Sequence, residues 1–548
     1  MNNFLKKFFS IFIILLFSSS VTAETKKILI IHESDTHGHA YASADTQASG
    51  TEKPMVGGFA ALKTLIDKTK KEEVSSNTFF MLLDSGDYFQ GTPLVDETTG
   101  ECMIKFMNQL HFDAATIGNH EFDYGLPRLA EVLKMASFPI LCCNTFKEKE
   151  GTIPDFLTPY TTFQFGKTKI ALIGVTTPEI PQLTFEKNFR GWVFKDPEPI
   201  LNELIPRLRK DGARFVIILS HLGLSLDRQL LGDIDADLIL GGHSHRLLEK
   251  PELIGKRKIP MIHPGADLRG VSKIVLEFDD EKNDPHFSKL SYEHIPLLVA
   301  SYPEDSQIKA LAEEYLKDLK ERLATVIGSS EVSLSRGVTG GDSPEGSFVA
   351  DAMREYTGAD FAFSNLGGVR FPIHPGIITY EHIFLLQPFP NTVELIEMTG
   401  KDVMDLLEKS ISVPFYPMTK QEKKIAEDEL KLHAEGMVRD FGGKYGYLLP
   451  SNLVVQFNPD NSPGKRIVKA VDGNGKPLDL EKKYQVAFNS FISNGGDGYN
   501  FLKDYPVRKA TKFLIRDLII RKIKDMKVIK EAPQPRLINL KLTVLPKK

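Results

Sequence analysis

The chain has 548 residues, 42% of them apolar and 26% charged. This is the composition of a folded globular protein, and it is too much chain for one ordinary hydrophobic core, so two or more domains are expected. A formal net charge of −4 over that length excludes a broad basic face, and with it generic binding to a nucleic-acid polymer.

At the N-terminus, Lys6 and Lys7, an apolar run from Phe8 to Phe17 and the small-residue triplet Val21-Thr22-Ala23 read as an export signal spanning residues 1–23. The run is about half of the ~20 residues that a membrane-spanning helix needs. No later stretch is long and apolar enough, so stable membrane insertion is not expected. No Cys follows Ala23, and Leu545-Pro546-Lys547-Lys548 offers no hydrophobic tail to exchange for a lipid anchor. A periplasmic or secreted monomer is the expectation. Cys102, Cys142 and Cys143 are too few for a disulfide scaffold. One bond through Cys102 is allowed in an oxidising compartment, with buried free thiols as the alternative.

Between residues 24 and 300, short apolar runs alternate with amphipathic stretches, as in Ile28-Leu29-Ile30-Ile31 followed by a helical pattern around residues 60–70. That alternation predicts strands and helices interleaved around a sheet. Pro303 then opens a charged stretch in which Ile308, Leu311, Tyr315, Leu319 and Leu323 recur at helical spacing. This predicts a connecting helix within residues 301–328, ending at Ile327-Gly328. Residues 329–548 form a second mixed α/β segment with strands expected at 452–457 and 484–488. Its densely charged stretch at 420–435 reads as a solvated helix.

Ligand-type residues in the first domain fall in a pattern. Ile28-Leu29-Ile30-Ile31 runs into Asp35-Thr36-His37-Gly38, and Phe79-Phe80-Met81-Leu82-Leu83 into Asp84-Ser85-Gly86-Asp87. Ala114-Ala115-Thr116-Ile117 precedes Gly118-Asn119-His120-Glu121, the apolar run from Phe215 to Leu219 precedes Ser220-His221, and Leu238-Ile239-Leu240 precedes Gly241-Gly242-His243-Ser244-His245. Open α/β sheets bind ligands outside the carboxyl ends of their strands, so these ends are expected to converge. Asp35, His37, Asp87, Asn119, His221, His243 and His245 supply seven oxygen or nitrogen ligands and no thiolate. Such a set suits two divalent ions of the zinc, manganese or cobalt type, since seven ligands overfill one. His120 is left over, with Asp123 three positions on to hold its imidazole, as a group that stabilises developing charge or donates a proton, or else as supporting scaffold. His32, His39, His111 and His263 have no spacing that demands catalysis and are read as loop or supporting residues.

The order Asp-x-His, Gly-Asp, Gly-Asn-His-Glu, a lone His and Gly-His-x-His resembles the calcineurin-like metallophosphoesterases. The resemblance implies a four-layer αββα sandwich, with Asp35, His37 and His245 at one ion, Asn119, His221 and His243 at the other, and Asp87 bridging. A metal-bound hydroxide would attack phosphorus in line. Asn365-Leu366-Gly367-Gly368-Val369-Arg370, Gln387-Pro388-Phe389-Pro390-Asn391 and Phe491-Ile492-Ser493-Asn494-Gly495-Gly496-Asp497-Gly498 are similar to the C-terminal domain of the 5′-nucleotidase family. By that resemblance the second domain is a smaller mixed α/β unit that binds a nucleotide. Phe389 and Phe491 would sandwich the base, Asp497 would bind the ribose, and Arg370 and Asn365 would hold the phosphate or sugar side.

Two departures stand out. Thr339-Gly340-Gly341-Asp342-Ser343-Pro344-Glu345-Gly346-Ser347 replaces a stretch where many relatives carry arginine, with Arg336 as a substitute, and His32-Glu33-Ser34 replaces a common Thr-Asn before Asp35. The expected activity is release of phosphate from nucleoside 5′-monophosphates. The alternatives are a 2′,3′-cyclic phosphodiesterase with 3′-nucleotidase activity, a nucleotide-sugar or dinucleotide pyrophosphatase, a related thiosulfohydrolase, and a catalytically silent nucleotide-binding surface protein.

Overall fold

The structure, a computed structural model, describes residues 25–45, 53–281, 286–317, 319–335, 343–412, 445–506 and 508–541, with short strands at 415–417, 432–433, 437–439 and 543–544. The expected signal segment at 1–23, Arg336 and residues 339–342 lie outside the described residues. So does the charged stretch at 420–435, apart from Leu432–His433, which is a strand paired with Thr543–Val544 instead of part of a helix.

Ile28-Leu29-Ile30-Ile31 is apolar at every position because both faces of its strand are covered. Ile28 and Ile30 point into a core shared with Leu172, Phe215, Ile217 and Leu240. Leu29 and Ile31 point the other way, into a core with Phe59, Leu62, Phe106 and Leu129. The strand Thr25–Glu33 lies between Gly270–Asp279, antiparallel, and Thr78–Asp84, parallel. Ala114–Thr116, Ile140–Leu141 and Lys289–Pro296 complete this six-stranded sheet. A second six-stranded sheet runs in the order Glu252–Ile254, Ile259–Ile262, Leu238–Gly241, Ala213–His221, Thr168–Thr176, Tyr160–Phe165. Helices Phe59–Glu73, Glu101–Leu110 and Leu126–Leu133 cover the outer face of the first sheet. Helix Pro197–Lys210 covers the outer face of the second. The result is the expected four-layer αββα sandwich.

The connector differs from its expected form. Asp305 caps the helix Ser306–Leu316, its carboxylate accepting from the backbone N–H of Gln307 and Ile308, each at 3.0 Å. Ile308 and Ala312 bury into the outer core of the sandwich, so the helix packs on the first domain and does not span free between two bodies. After the short helix Lys320–Leu323, residues Val326–Ser330 form a strand antiparallel to Gly376–Thr379 and parallel to Val528–Ile529. The predicted helix end at Ile327-Gly328 is therefore wrong. Two β-branched residues followed by Gly and two Ser are weak helix formers, and a waiting sheet edge captures them.

Beyond it a five-stranded sheet runs in the order Leu448–Ser451, Phe361–Asn365, Lys483–Asn489, Thr392–Thr399, Arg508–Leu514. Helices Pro344–Thr357 and Ile515–Met526 pack on one face, and Gly400–Ser410 on the other. Ser343 accepts from the backbone N–H of Gly346 at 3.2 Å and Pro344 takes the first turn, so Ser343–Ser347, the described part of the Thr339-to-Ser347 departure, is a capped helix start. All three cysteines are buried free thiols. No helix among the described residues is long and apolar enough to cross a membrane.

The sheet-to-sheet core carries the sandwich. Leu172→Ala, at a fully buried position in it, is expected to cost about 2–5 kcal/mol. Urea unfolding checks this against Met135→Ala, at an exposed site, where the loss is expected to stay within about 0.5 kcal/mol.

Candidate metal centre and substrate cleft

All five strand ends meet at one edge of the sandwich. Asp35 and His37 follow Thr25–Glu33, Asp87 follows Thr78–Asp84, Asn119 and His120 follow Ala114–Thr116, His221 closes Ala213–His221, and His243 and His245 follow Leu238–Gly241. Five of these residues sit in the left-handed region: Asp35 (φ 54°), His37 (45°), Asp87 (59°), His243 (72°) and His245 (56°). Each such conformation costs about 1–3 kcal/mol, and it persists only where surrounding bonds over-determine it. Those bonds are present: Asp35 N–H donates to Gly86 O at 2.9 Å, His37 N–H to Asp87 O at 3.0 Å, and Gly242 N–H to Ser220 O at 2.8 Å. The N–H of His243 donates to the Asp35 carboxylate at 2.9 and 3.0 Å.

Two groups share one carboxylate. Asp35, His37, Asp87 and His245 bring one ligand atom each within 4.8 Å of one another, and Asp87, His221 and His243 do the same. Nε2 of His37 and Nε2 of His245 are 2.9 Å apart, and Nε2 of His221 is 3.1 Å from Asp87 Oδ2. Burial holds the imidazoles of His37, His243 and His245 well below the usual histidine range, which keeps them neutral with lone pairs to give. Oδ1 of Asn119 is buried with no hydrogen-bond partner. A Cβ on Gly118 would lie 2.2 Å from Asp87 Oδ1 and 2.5 Å from His221 Nε2, so only glycine leaves these atoms room. Converging neutral imidazoles, a shared carboxylate and an unanswered amide oxygen fit divalent ions.

Several supporting residues had no role assigned from sequence. The buried Glu121 carboxylate accepts from the backbone N–H of Asp87 (2.9 Å), Phe89 (3.0 Å) and Gly118 (2.6 Å), tying two strand-end loops together. Ser85 O accepts from His221 Nδ1 at 2.6 Å, which turns Nε2 toward Asp87. The Ser85 hydroxyl donates to Leu240 O at 2.8 Å and accepts from His32 Nε2 at 2.8 Å. His263 pairs with buried Asp227 at 2.8 Å. In the departure before Asp35, Ser34 Oγ donates to Asp35 Oδ2 at 2.8 Å and Glu33 accepts from Thr36 at 2.7 Å. His32 and His263 are thus buried supports, His39 sits 3.6 Å from Asp267, and His111 is exposed at a helix end.

His120 and Asp123 are brought together as expected, with Nδ1 2.7 Å from Asp123 Oδ2. Burial disfavours the charged imidazole, but the carboxylates of Asp123 and Asp87 outweigh it and raise its pKa above 6.5. The ring lies edge-on to His37 at 5.1 Å and stacks on Phe389 at 5.7 Å.

The second domain closes over this centre. Arg370 Nη2 donates to His37 Nε2 at 3.1 Å, and its guanidinium lies 6.0 Å from the Phe389 ring centre. Asn365 Nδ2 donates to Asp497 Oδ2 at 2.8 Å, while Asn365 Oδ1 accepts from Asn489 at 2.6 Å. Asp497 itself is left-handed (φ 51°) in the turn at Gly496–Gly498. Phe389, Phe491, Asn365, Arg370 and Asp497 line one cavity of about 320 Å³ with His37, Asp87, Asn119, His120, Asp123, His243 and His245. Phe185 and Tyr445, for which the sequence carried no signal, line it too.

A calcineurin-like phosphoesterase family model matches residues 28–247, and one for the 5′-nucleotidase C-terminal domain matches residues 326–504. The chain is 27% identical to the 5′-nucleotidase of Homo sapiens over 558 residues, covering 93% of this chain and 90% of that one. It is 28% identical to an apyrase of Tabanus yao, covering 87% of each. Among solved structures, a 5′-nucleotidase precursor from Thermus thermophilus superposes with a TM-score of 0.81 at 27% identity, covering 94% of this chain and 99% of that one. With both halves matched in order and the fold shared end to end, the chain belongs to the 5′-nucleotidase family, a calcineurin-like phosphoesterase domain followed by the family's C-terminal domain.

Proposed function

We propose that this protein is an exported, metal-dependent 5′-nucleotidase that releases phosphate from nucleoside 5′-monophosphates and serves nucleotide scavenging. The observation that carries the reading is one cavity whose lining joins converging metal-type ligands to Phe389, Phe491 and Asp497. Such a lining offers groups for a phosphate, a ribose and a base.

In this reading residues 24–300 hold two ions and residues 329–548 hold the nucleoside, joined by 301–328. Asp35, His37 and His245 would hold one ion and Asn119, His221 and His243 the other, with Asp87 available to both. Divalent ions bound there would supply the positive charge that binds phosphate and acidifies water. Arg370, reaching His37 from the second domain, adds a fixed cation for the phosphate oxygens. His120, held by Asp123, presents an imidazolium that stabilises the developing charge and protonates the leaving alkoxide. Asp497, oriented by Asn365, accepts from the ribose hydroxyls. Phe389 and Phe491 stack on the base by its flat faces, which tolerates any base.

Phosphate release from AMP and UMP should therefore stop on chelation and return with manganese, zinc or cobalt. Chelator-resistant turnover would contradict the metal assignment. Asp87→Asn should lower kcat/KM more than about a hundredfold, with circular dichroism unchanged. The acid role has a pH signature. Protonated His120 is the working form, and Asp123 raises its pKa from the usual histidine range, so that form is lost as pH rises through the raised value. Asp123→Asn should move the alkaline limb of the kcat profile to lower pH, and an unmoved limb would remove His120 from the acid role.

A further inference from the structure

The segment after the helix Ile180–Leu183 belongs to the catalytic domain, yet it reaches both the chemistry and the base end of the cleft. Thr184 Oγ1 donates to Asn119 O at 3.3 Å, and Asn188 Nδ2 donates to Asp123 O at 2.8 Å. The segment is thus bonded to both ends of the backbone that carries His120. Between these anchors Phe185 extends into the cavity, and its ring meets Phe491 of the second domain at 5.7 Å and 83°, an edge-on contact. The Lys187 ammonium lies 5.6 Å from the Phe185 ring centre. The helix Ile180–Leu183 itself packs beside the turn Gly496–Gly498, which presents Asp497.

We propose that Phe185 is a specificity-determining residue for the nucleobase, a third aromatic wall of the base site, contributed by the metal-bearing half. This inference rests on the nucleotide reading above. An edge-on partner fixes the plane of Phe491, so that a base entering against that ring meets a preset slot and not a mobile side chain. Because Thr184 and Asn188, on either side of Phe185, are bonded to the carbonyls of Asn119 and Asp123, the slot is tied to the stretch that carries His120. A substrate with a base is thereby registered against the acid, and a substrate without one gains nothing.

The test compares AMP with ribose 5-phosphate, which keeps the ester and sugar but lacks the base, in the full-length metal-loaded enzyme. In Phe185→Ala the ratio of kcat/KM for AMP to that for ribose 5-phosphate should fall about fivefold, chiefly through KM for AMP. Phe185→Tyr, which keeps the ring edge, should retain the wild-type ratio. Phe185 is half-buried at the cleft, so circular dichroism of both variants should match wild type. An unchanged ratio in Phe185→Ala, or a parallel loss on both substrates, overturns the proposal while leaving the nucleotidase reading in place. A wild-type enzyme that does not prefer AMP to ribose 5-phosphate overturns the base site as a whole, and one that cleaves neither overturns the nucleotidase reading and this inference with it.

Discussion

The site depends on one buried carboxylate. Asp87 is 1% exposed, and a carboxylate taken out of water is tolerated only when it is paired and hydrogen-bonded. Burial pushes its pKa up, but His221 and His120 hold it well below the usual range, and the His37 ring lies 3.9 Å from its Oδ2. Its Oδ1 also accepts from the backbone N–H of His120 at 2.8 Å, and its own N–H is held by Glu121. These partners come from three different strand ends. The carboxylate therefore works as a shared anchor for the side chains that meet it.

Holding so many ends at one point bends the backbone. Left-handed conformations fall on Asp35, His37, Asp87, His243 and His245 themselves, so part of the backbone strain sits at the candidate centre. What opposes it is the rigidity of two sheets whose facing side chains, from Ile28 through Leu240, are excluded from water. A close-packed interior resists the shifts that would relax the loops. The same strand ends also receive the second domain, with Arg370 at His37 and Phe389 at His120.

Much of this was legible in the sequence because the strands are short, doubly buried and therefore uninterrupted in their apolar runs. The ligand-type residues that follow each run need no long-range information to be noticed. Glu121 stood in plain view within Gly118-Asn119-His120-Glu121, yet its role depends on the backbone of Asp87, 34 residues earlier, which spacing does not encode. Phe185 was invisible for a similar reason, since its partner Phe491 lies in the other domain. The connector shows the opposite failure. Helical periodicity through Leu323 was real, but it ran past its end because a strand partner at Gly376–Thr379 outcompeted it. The aromatic cleft came from resemblance, since an isolated Phe carries no mark that separates a stacking wall from core.

Whether five strand ends build a two-ion centre around Asp87 is tested most directly by anomalous scattering from crystals soaked in manganese. Two peaks about 3.5–4 Å apart are expected, one beside Asp35, His37 and His245 and the other beside Asn119, His221 and His243, with Asp87 touching both. A single peak, or two that do not share Asp87, would contradict it.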